Sequence, residues 1–462
     1  MSRTEAGDSP LESDKEPSPA SASLKKRAIS GSAWTLAGEW TQYVLRLGGN
    51  LVLTRLLFPE AFGLMSLVQV FLMGLEMFSD IGIIPGIIQN KRGDEPEFLN
   101  TAWTVQVGRG IMLWLFACAI AFPASQVYHE PMLLQLLPVS GITALIAGFS
   151  STKLATENRR LAVGRLTLLE LGSYVLGLIV MLVWALLFPS VWALVGGGIV
   201  GALTKMVLSH TYLKGEKNRF HWDGEAFRSL QQFGRWIFLS TVLTFFAGQG
   251  DRLVIGGILD TKALGIYTVA VTMARLVNET IMKLGSKVLF PSYSELIRER
   301  PEQLYAALRK TRLFLIAGSW VASLFLMVFG EQLINFLYDD RYARAGWMLK
   351  VLPVNSLVGV LIFTYDNALM AMGKTLTMTS LLAIQVGIEL TAMIVGGYLW
   401  GETGVIVGIA CFAWILYPLK AIFFARLSIW QPEVDLPVIA LASLVVAGFY
   451  YFNFFSLTSA VG

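Results

Sequence analysis

The second half of this 462-residue chain repeats the first, and both copies are apolar. The segment WTLAGEWTQYVLRLGGNLVLTRLLFPEAFGL from Trp34 aligns without a gap on WIFLSTVLTFFAGQGDRLVIGGILDTKALGI from Trp236. At this constant offset of 202 positions, Trp34 falls on Trp236, Leu51-Val52 on Leu253-Val254, Leu57 on Leu259, Ala61 on Ala263 and Gly63 on Gly265. A repeat inside an apolar chain is the pattern of membrane carriers assembled from two pseudo-symmetric halves with a site between them.

Composition agrees. Hydrophobic residues make up 55% of the chain and charged residues 15%, where a soluble protein carries about 25% charged. Mean hydropathy is +0.61. The apolar residues fall in runs of the ~20 residues that cross a bilayer as helix. Spans are predicted near 30–57, 62–89, 99–122, 132–152, 166–188 and 190–213, then 233–259, 263–291, 312–337, 346–372, 375–399 and 403–427, with a last stretch at 436–456. The expected organisation is a disordered cytoplasmic tail (1–28), a first lobe (29–213, spans 1–6), a cytoplasmic linker (214–232), a second lobe (233–427, spans 7–12) and an extra C-terminal span (428–462). Ser, Pro, Asp, Glu and Ala dominate up to Ser23, a composition that cannot bury a core. The apolar stretch after Lys25-Lys26-Arg27 is too long for a signal peptide and is broken by Glu39.

Lys and Arg set the orientation. With the N-terminus cytoplasmic, inner segments hold Lys25, Lys26, Arg27, Lys91, Arg92, Lys153, Arg159, Arg160 and Arg165, then the basic linker, then Arg298, Arg300, Arg309, Lys310 and Arg312. Outer segments hold Arg55, Lys262, Arg341 and Arg344. Six spans per repeat give both repeats one orientation, related by an axis along the membrane normal. The fold class is therefore an all-α polytopic membrane protein: two six-helix lobes about a pseudo-two-fold axis, plus one extra C-terminal helix.

The informative residues are charges within spans, each costing ~2.5–3.5 kcal/mol at a helix centre and so expected to face protein or water. Glu39, Gln42 and Arg46 share one face of span 1, and Gln69, Glu76 and Asp80 one face of span 2. Ser240, Thr244, Gly248 and Asp251 form a stripe on span 7, bordered by Arg252, and Arg275, Glu279, Lys283 and Lys287 recur every four residues on span 8. A cavity lined by spans 1, 2, 7 and 8 follows, its cations at several depths suiting a ligand with a phosphate head. Substrate contacts are expected from Arg46, Arg275, Lys283, Arg252, Glu39, Gln42, Glu76 and Glu279, and ion coupling from Asp80, Asp251 and Asp366.

Plainer readings stand beside these. The span 8 charges can neutralise one another along their own helix. Arg109 with Glu170 reads as a structural ion pair, Arg235 and Lys420 as orientation anchors, and Asp366 and Glu389 either as coupling sites or as satisfied interhelical partners. Gly197 and Gly201 read as a close helix contact, Pro353 and Pro418 as kinks, and Arg298 to Arg312 as a juxtamembrane helix on the inner leaflet. The two cysteines, Cys118 and Cys411, lie inside spans, and no phosphate loop, nucleotide fingerprint, nucleophile elbow or metal-ligand spacing is present.

The stretch TRLLFPEAFGLMSLVQVF (54–71), FSDIGI (78–83) with Ile88-Gln89, and GDRLVIGGIL, ALGIYTVA and VLFPSYSEL within 250–296 resemble the polysaccharide transporter family of bacterial O-antigen and exopolysaccharide flippases. That family belongs to the multidrug/oligosaccharidyl-lipid/polysaccharide flippase superfamily. The resemblance implies two lobes facing a central cavity, alternating access, and carriage of undecaprenyl-pyrophosphate-linked oligosaccharide from the inner to the outer leaflet of the cytoplasmic membrane, with no covalent chemistry and no cofactor. Its implied partners are the lipid-linked oligosaccharide, membrane lipids, a polysaccharide polymerase and glycosyltransferases, and no nucleic acid. A cation-coupled multidrug exporter of the same superfamily, a lipid-linked peptidoglycan precursor as cargo, and a non-transporting scaffold for glycosyltransferases are the other readings. Members often have 14 spans, so the C-terminal region departs from the pattern.

Overall fold

The computed structural model describes residues 19–80, 82–160, 162–234, 238–275 and 304–460, with Tyr293, Glu295, Leu296 and Arg298. Every regular element among them is helical. The first lobe is built from α1 (Pro19–Leu56), α2 (Pro59–Phe78), α3 (Ile83–Gln89), α4 (Pro96–Val127), α5 (Leu133–Gly148), α6 (Lys153–Arg159), α7 (Val163–Leu187) and α8 (Trp192–Thr211). The linker carries α9 (Gly224–Gly234). The second lobe has α10 (Phe238–Ile258), α11 (described over 261–275), α12 (Leu304–Leu337), α13 (Ala343–Val351), α14 (Val354–Ala371), α15 (Thr375–Arg426) and α16 (Pro432–Ala460). Eight of the described helices are long and apolar enough to cross a membrane, or nine if the α5–α6 pair, bent by 58°, counts as one span. Neither α1 nor α10 is among them. Both carry polar stripes, which lower their hydropathy.

Local sequence explains where the helices start and break. Pro59 and Pro96 occupy the first turns of α2 and α4, where a missing N–H costs nothing. The expected second span, 62–89, is two helices. The Gly82 N–H donates to Asp80 Oδ1 at 2.9 Å, and Gly82 takes a left-handed φ of 70°. Span 10 likewise breaks at Pro353, which caps α14. The 52 residues of α15 are two membrane segments folded at Trp400 and Gly401, the latter with φ 60°, a conformation glycine adopts without steric cost. α1 begins at Pro19, inside the segment expected to be unstructured.

Taking the ends of the helices nearest α9 as the linker end and the opposite ends as the far end, the two lobes meet along α2 and α10. Phe78 and Phe245 cross edge to face there at 5.0 Å. At the far end one apolar cluster spans both lobes, joining Leu64, Leu67 and Val68 to Ile255, Leu264, Met348 and Leu349. Each lobe also has a small-residue helix contact of the kind that gives membrane helices close approach. A β-carbon on Gly177 of α7 would fall 2.7 Å from the Gly197 carbonyl of α8, and one on Gly396 would fall 2.2 Å from the Gly404 carbonyl across the α15 fold.

The linker is a strap rather than a free tether. Ala226 and Leu230 of α9 are buried against Ile83, Ile87, Phe98 and Ala102 of the first lobe. Arg92 bonds Asp223 at 2.9 Å. The Glu225 backbone N–H, and with it the Arg92 guanidinium, holds the Asp223 carboxyl below the usual aspartate range.

Candidate functional site

The first lobe is hollow in its linker-end half. A cavity of about 610 Å³ lies among α2, α3, α4, α5 and α8, with Glu76, Asp80, Gln106, Arg109, Ser151 and Lys205 on its wall. A second hollow of about 370 Å³ lies between α1, α7 and α8, with Gln42, Glu170, Ser173, Tyr174 and Lys205 on its wall. Lys205 borders both, and its Nζ sits 3.3 Å from Glu170 Oε1 with both side chains about half exposed. Arg46, exposed on α1, lies beside the Tyr174 hydroxyl of α7. Glu39 is half-buried on the same helix.

Arg109 does not pair with Glu170, as the sequence had suggested. Its Nη2 donates to the Glu76 carbonyl at 2.6 Å and its Nε to the Ser79 carbonyl and hydroxyl, both at 3.0 Å. It therefore satisfies the acceptors that the end of α2 leaves open and brings its charge near the Glu76 carboxyl. Glu170 takes Lys205 instead. The reason is geometric: a lone charge in a span states that it needs a partner, while helix neighbours decide which one.

Among the described residues of the second lobe, three ion pairs have a buried member. Asp251 is 3% exposed; its Oδ2 accepts from Arg275 Nη2 at 2.7 Å and from the Tyr267 hydroxyl at 2.5 Å. Arg275 also donates to the Gly248 carbonyl at 3.2 Å, and Glu389 of α15 is buried facing this pair. The Arg252 guanidinium bonds Gln249. Asp366 is held by Lys420 at 3.1 Å, so Lys420 is a buried partner, not the surface anchor expected.

Arg312 is the larger correction. Read as part of a juxtamembrane basic run, it is 0% exposed and ion-paired to Asp435 of α16, itself 0% exposed. Its guanidinium also bonds Thr364 Oγ1 at 2.9 Å, the Tyr365 hydroxyl at 2.6 Å and Gln431 at 3.1 Å, and lies 3.9 Å from the centre of the Tyr365 ring. Tyr365 and Tyr417 add hydroxyl bonds to Asp435 at 2.8 and 2.6 Å. The hollow next to this network, about 730 Å³ and lined by Trp414, Tyr417, Pro418, Trp430, Leu436 and Ile439 among others, is apolar.

The expected single vestibule thus resolves into separate clusters. Arg46 stands with Tyr174, Glu76 near Arg109, and Arg275 with Asp251. Glu279, Lys283, Lys287 and Arg235 lie outside the described residues. Lys205 went unnoticed because a single lysine in span 6 belongs to no periodic stripe. Among the described residues no group of three or more His, Cys, Asp or Glu could hold a metal.

The profile of the polysaccharide biosynthesis protein family matches residues 52–346, more than half of the chain. The chain belongs to this family. Among its relatives is the lipopolysaccharide biosynthesis protein WzxC of Escherichia coli (strain K12), 22% identical over 387 residues, which are 84% of this chain and 78% of the relative. The fold is shared with the inward-facing conformation of a multidrug resistance MATE family transporter of the MOP superfamily, at TM-score 0.66 and 14% identity over 84% of this chain and 94% of that one. It is shared equally with lipid II flippase MurJ in its inward closed conformation, at TM-score 0.64 and 12% identity over 93% and 100% of the two chains. Family membership and fold together make the chain a multi-pass membrane protein of polysaccharide biosynthesis.

Proposed function

We propose that this protein is a flippase that moves undecaprenyl-pyrophosphate-linked oligosaccharide from the inner to the outer leaflet of the bacterial cytoplasmic membrane by alternating access, for O-antigen or exopolysaccharide synthesis. The observation that carries the reading is the pair of hollows that share Lys205 on their walls, the larger in the linker-end half of the first lobe and the smaller reaching mid-depth. Side chains able to ionise are costly in a bilayer unless water or a polar ligand reaches them. With the N-terminus and linker cytoplasmic, as the Lys/Arg bias supports, the larger hollow lies on the side where lipid-linked sugars are made.

Within this reading the carboxylates and amides on the walls, Gln42, Glu76 and Gln106, with Glu39 one turn before Gln42 on α1, take sugar hydroxyls. Arg46, beside the Tyr174 hydroxyl on the wall of the smaller hollow, supplies positive charge for the diphosphate. Arg252 of the second lobe, whose guanidinium bonds the Gln249 amide, is the cation to which that diphosphate passes as the lobes rock, and Glu279 and Lys283 belong to the same path. The prenyl tail stays in lipid. An inside-negative potential favours outward movement of the anionic head by ~2.3 kcal/mol per charge per 100 mV. Coupling to a cation falls to Asp251 and Glu389, two carboxylates facing the one guanidinium of Arg275. Asp80 borders the larger hollow and is the first-lobe candidate, whereas Asp366 is matched one-to-one by Lys420 and serves structure. A polymerase and glycosyltransferases would act on the cargo before and after it crosses, and the protein itself makes and breaks no bond.

The test is translocation of a lipid-linked oligosaccharide in proteoliposomes. Losing one charge-assisted contact of about 1.5–3 kcal/mol corresponds to a drop of about 10- to 100-fold for Arg46→Ala. Full transport by Arg46→Ala at normal protein level removes that residue from the mechanism. Vesicles that move fluorescent organic cations but no lipid-linked sugar overturn the flippase reading in favour of a drug exporter.

A further inference from the structure

The far end of the molecule is closed by a contact between repeat mates. Gly63 of α2 and Gly265 of α11 are 202 positions apart, as are Pro59 and Thr261. A β-carbon on Gly63 would fall 1.8 Å from the Thr261 carbonyl oxygen, and one on Gly265 would fall 1.9 Å from the Pro59 carbonyl oxygen. The contact is therefore reciprocal: the same position of each copy touches the same position of the other, as at any two-fold interface. Backbone, not a flexible side chain, stands opposite each glycine.

Two polar contacts flank it, each reaching from a far-end turn of one lobe to the other. Arg341, between α12 and α13, donates to the Arg55 carbonyl at 2.9 Å and to the Thr54 carbonyl at 3.4 Å, filling acceptors at the end of α1, and its guanidinium lies 5.1 Å from the centre of the Phe58 ring. Asp339 steadies that arginine at 3.1 Å. From the other side the Thr261 hydroxyl donates to Glu130 Oε1 at 2.8 Å, in the turn between α4 and α5.

We infer that the Gly63–Gly265 contact is the far-end gate of the transport cycle, and that Arg341 and Glu130 are its latches. This rests on the alternating-access reading, since only such a cycle requires the far end to part. Alternation needs a closed far end that is stable yet reversible. At the two glycines the apposition is backbone to backbone, with the interlobe apolar cluster of Leu64, Leu67, Leu264 and Met348 packed beside it. The latches add hydrogen bonds to carbonyls and to one carboxylate, which water can replace once the lobes separate. Any side chain at either glycine wedges the gate, which raises the far-open population.

The experiment reads lobe separation, not transport, so its outcome is independent of the cargo. Spin labels are placed on Phe188→Cys and Tyr398→Cys, both exposed near far-end turns, in full-length protein lacking Cys118 and Cys411 and reconstituted in nanodiscs. Overpacking of ~1–3 kcal/mol corresponds to a rise of about 5- to 150-fold in the far-open population for Gly63→Ala or Gly265→Ala. Arg341→Ala, which adds no bulk, should raise it by a smaller factor, and Gly448→Ala, which meets nothing within 4 Å, should leave it unchanged. Unaltered distance distributions in folded Gly63→Ala and Arg341→Ala overturn the proposal. If Gly63→Ala does not fold, Arg341→Ala decides alone: a shifted distribution supports the gate and an unshifted one rejects it.

Discussion

The two lobes share one ancestral plan but spend their charges differently. In the first lobe, ionisable side chains border polar hollows, and the Lys205–Glu170 pair is about half exposed on both sides. In the second, Arg312 and Asp435 are fully enclosed, Lys420 is buried against Asp366, and Asp251 is closed in by Arg275 and Tyr267. The hollow beside them is lined by aromatic and aliphatic side chains. Among the described residues, the first lobe leaves the Lys205–Glu170 pair open beside its hollows, and the second encloses Arg312, Asp435 and Lys420 as internal fasteners.

The comparison breaks most readily at Arg312. Removing one member of an enclosed ion pair leaves the other unmatched, at a cost of about 3–5 kcal/mol. Arg312→Ala or Asp435→Ala should therefore abolish or sharply lower the yield of folded protein, read by thermal melting in detergent. The exposed pair is worth about 0–1 kcal/mol, so Lys205→Ala should melt within a few degrees of the native protein. Equal melting shifts for Arg312→Ala and Lys205→Ala would erase the distinction between the lobes. Replacing Arg312 and Asp435 together by Met and Leu should recover much of the stability lost by either single change.

A subtler break concerns Glu389. If it and Asp251 share one cation through Arg275, Glu389→Gln should leave folding intact and make export insensitive to an imposed pH gradient, read as the ratio of rates with and without the gradient. A preserved ratio assigns Glu389 to packing alone. The smallest effect belongs to the strap. Because the folded Asp223 carboxyl titrates below its ordinary 3.8, its contribution is complete above that value and is lost as the pH falls through the lower, folded one. Limited proteolysis of the linker should show the native strap held at pH 7 and released only in strong acid, whereas Asp223→Asn should be cut faster already at pH 7. Equal cleavage of the two proteins at pH 7 would leave α9 held by its apolar face alone.

Much of this was legible in the residues. The repeat located both lobes, and Gly63 and Gly265, named as equivalent from the sequence, turn out to touch. Helix-face spacing led to one cavity shared by spans 1, 2, 7 and 8, whereas Glu76 and Asp80 border one hollow and Gln42 another, both lined by first-lobe residues. What spacing cannot supply is the identity of the facing helix. Arg109 and Glu170 were matched because each stood alone in its span, yet one caps α2 and the other meets Lys205. Arg312 looked like a surface residue because its neighbours Arg309 and Lys310 belong to a basic run, and its partner lies in the C-terminal stretch that the family pattern left without a role. A fully enclosed pair 123 residues apart in sequence leaves no local trace.

That separation bears on how the protein is made. Arg312 leaves the ribosome 123 residues before Asp435, so at about 5–20 residues per second its charge waits roughly 6–25 s for a counter-ion. Until Asp435 of α16 enters the membrane, the nascent second lobe carries an arginine without this enclosed counter-ion. A polypeptide cut before Asp435 therefore bears an unmatched cation that insertion chaperones and proteases can recognise.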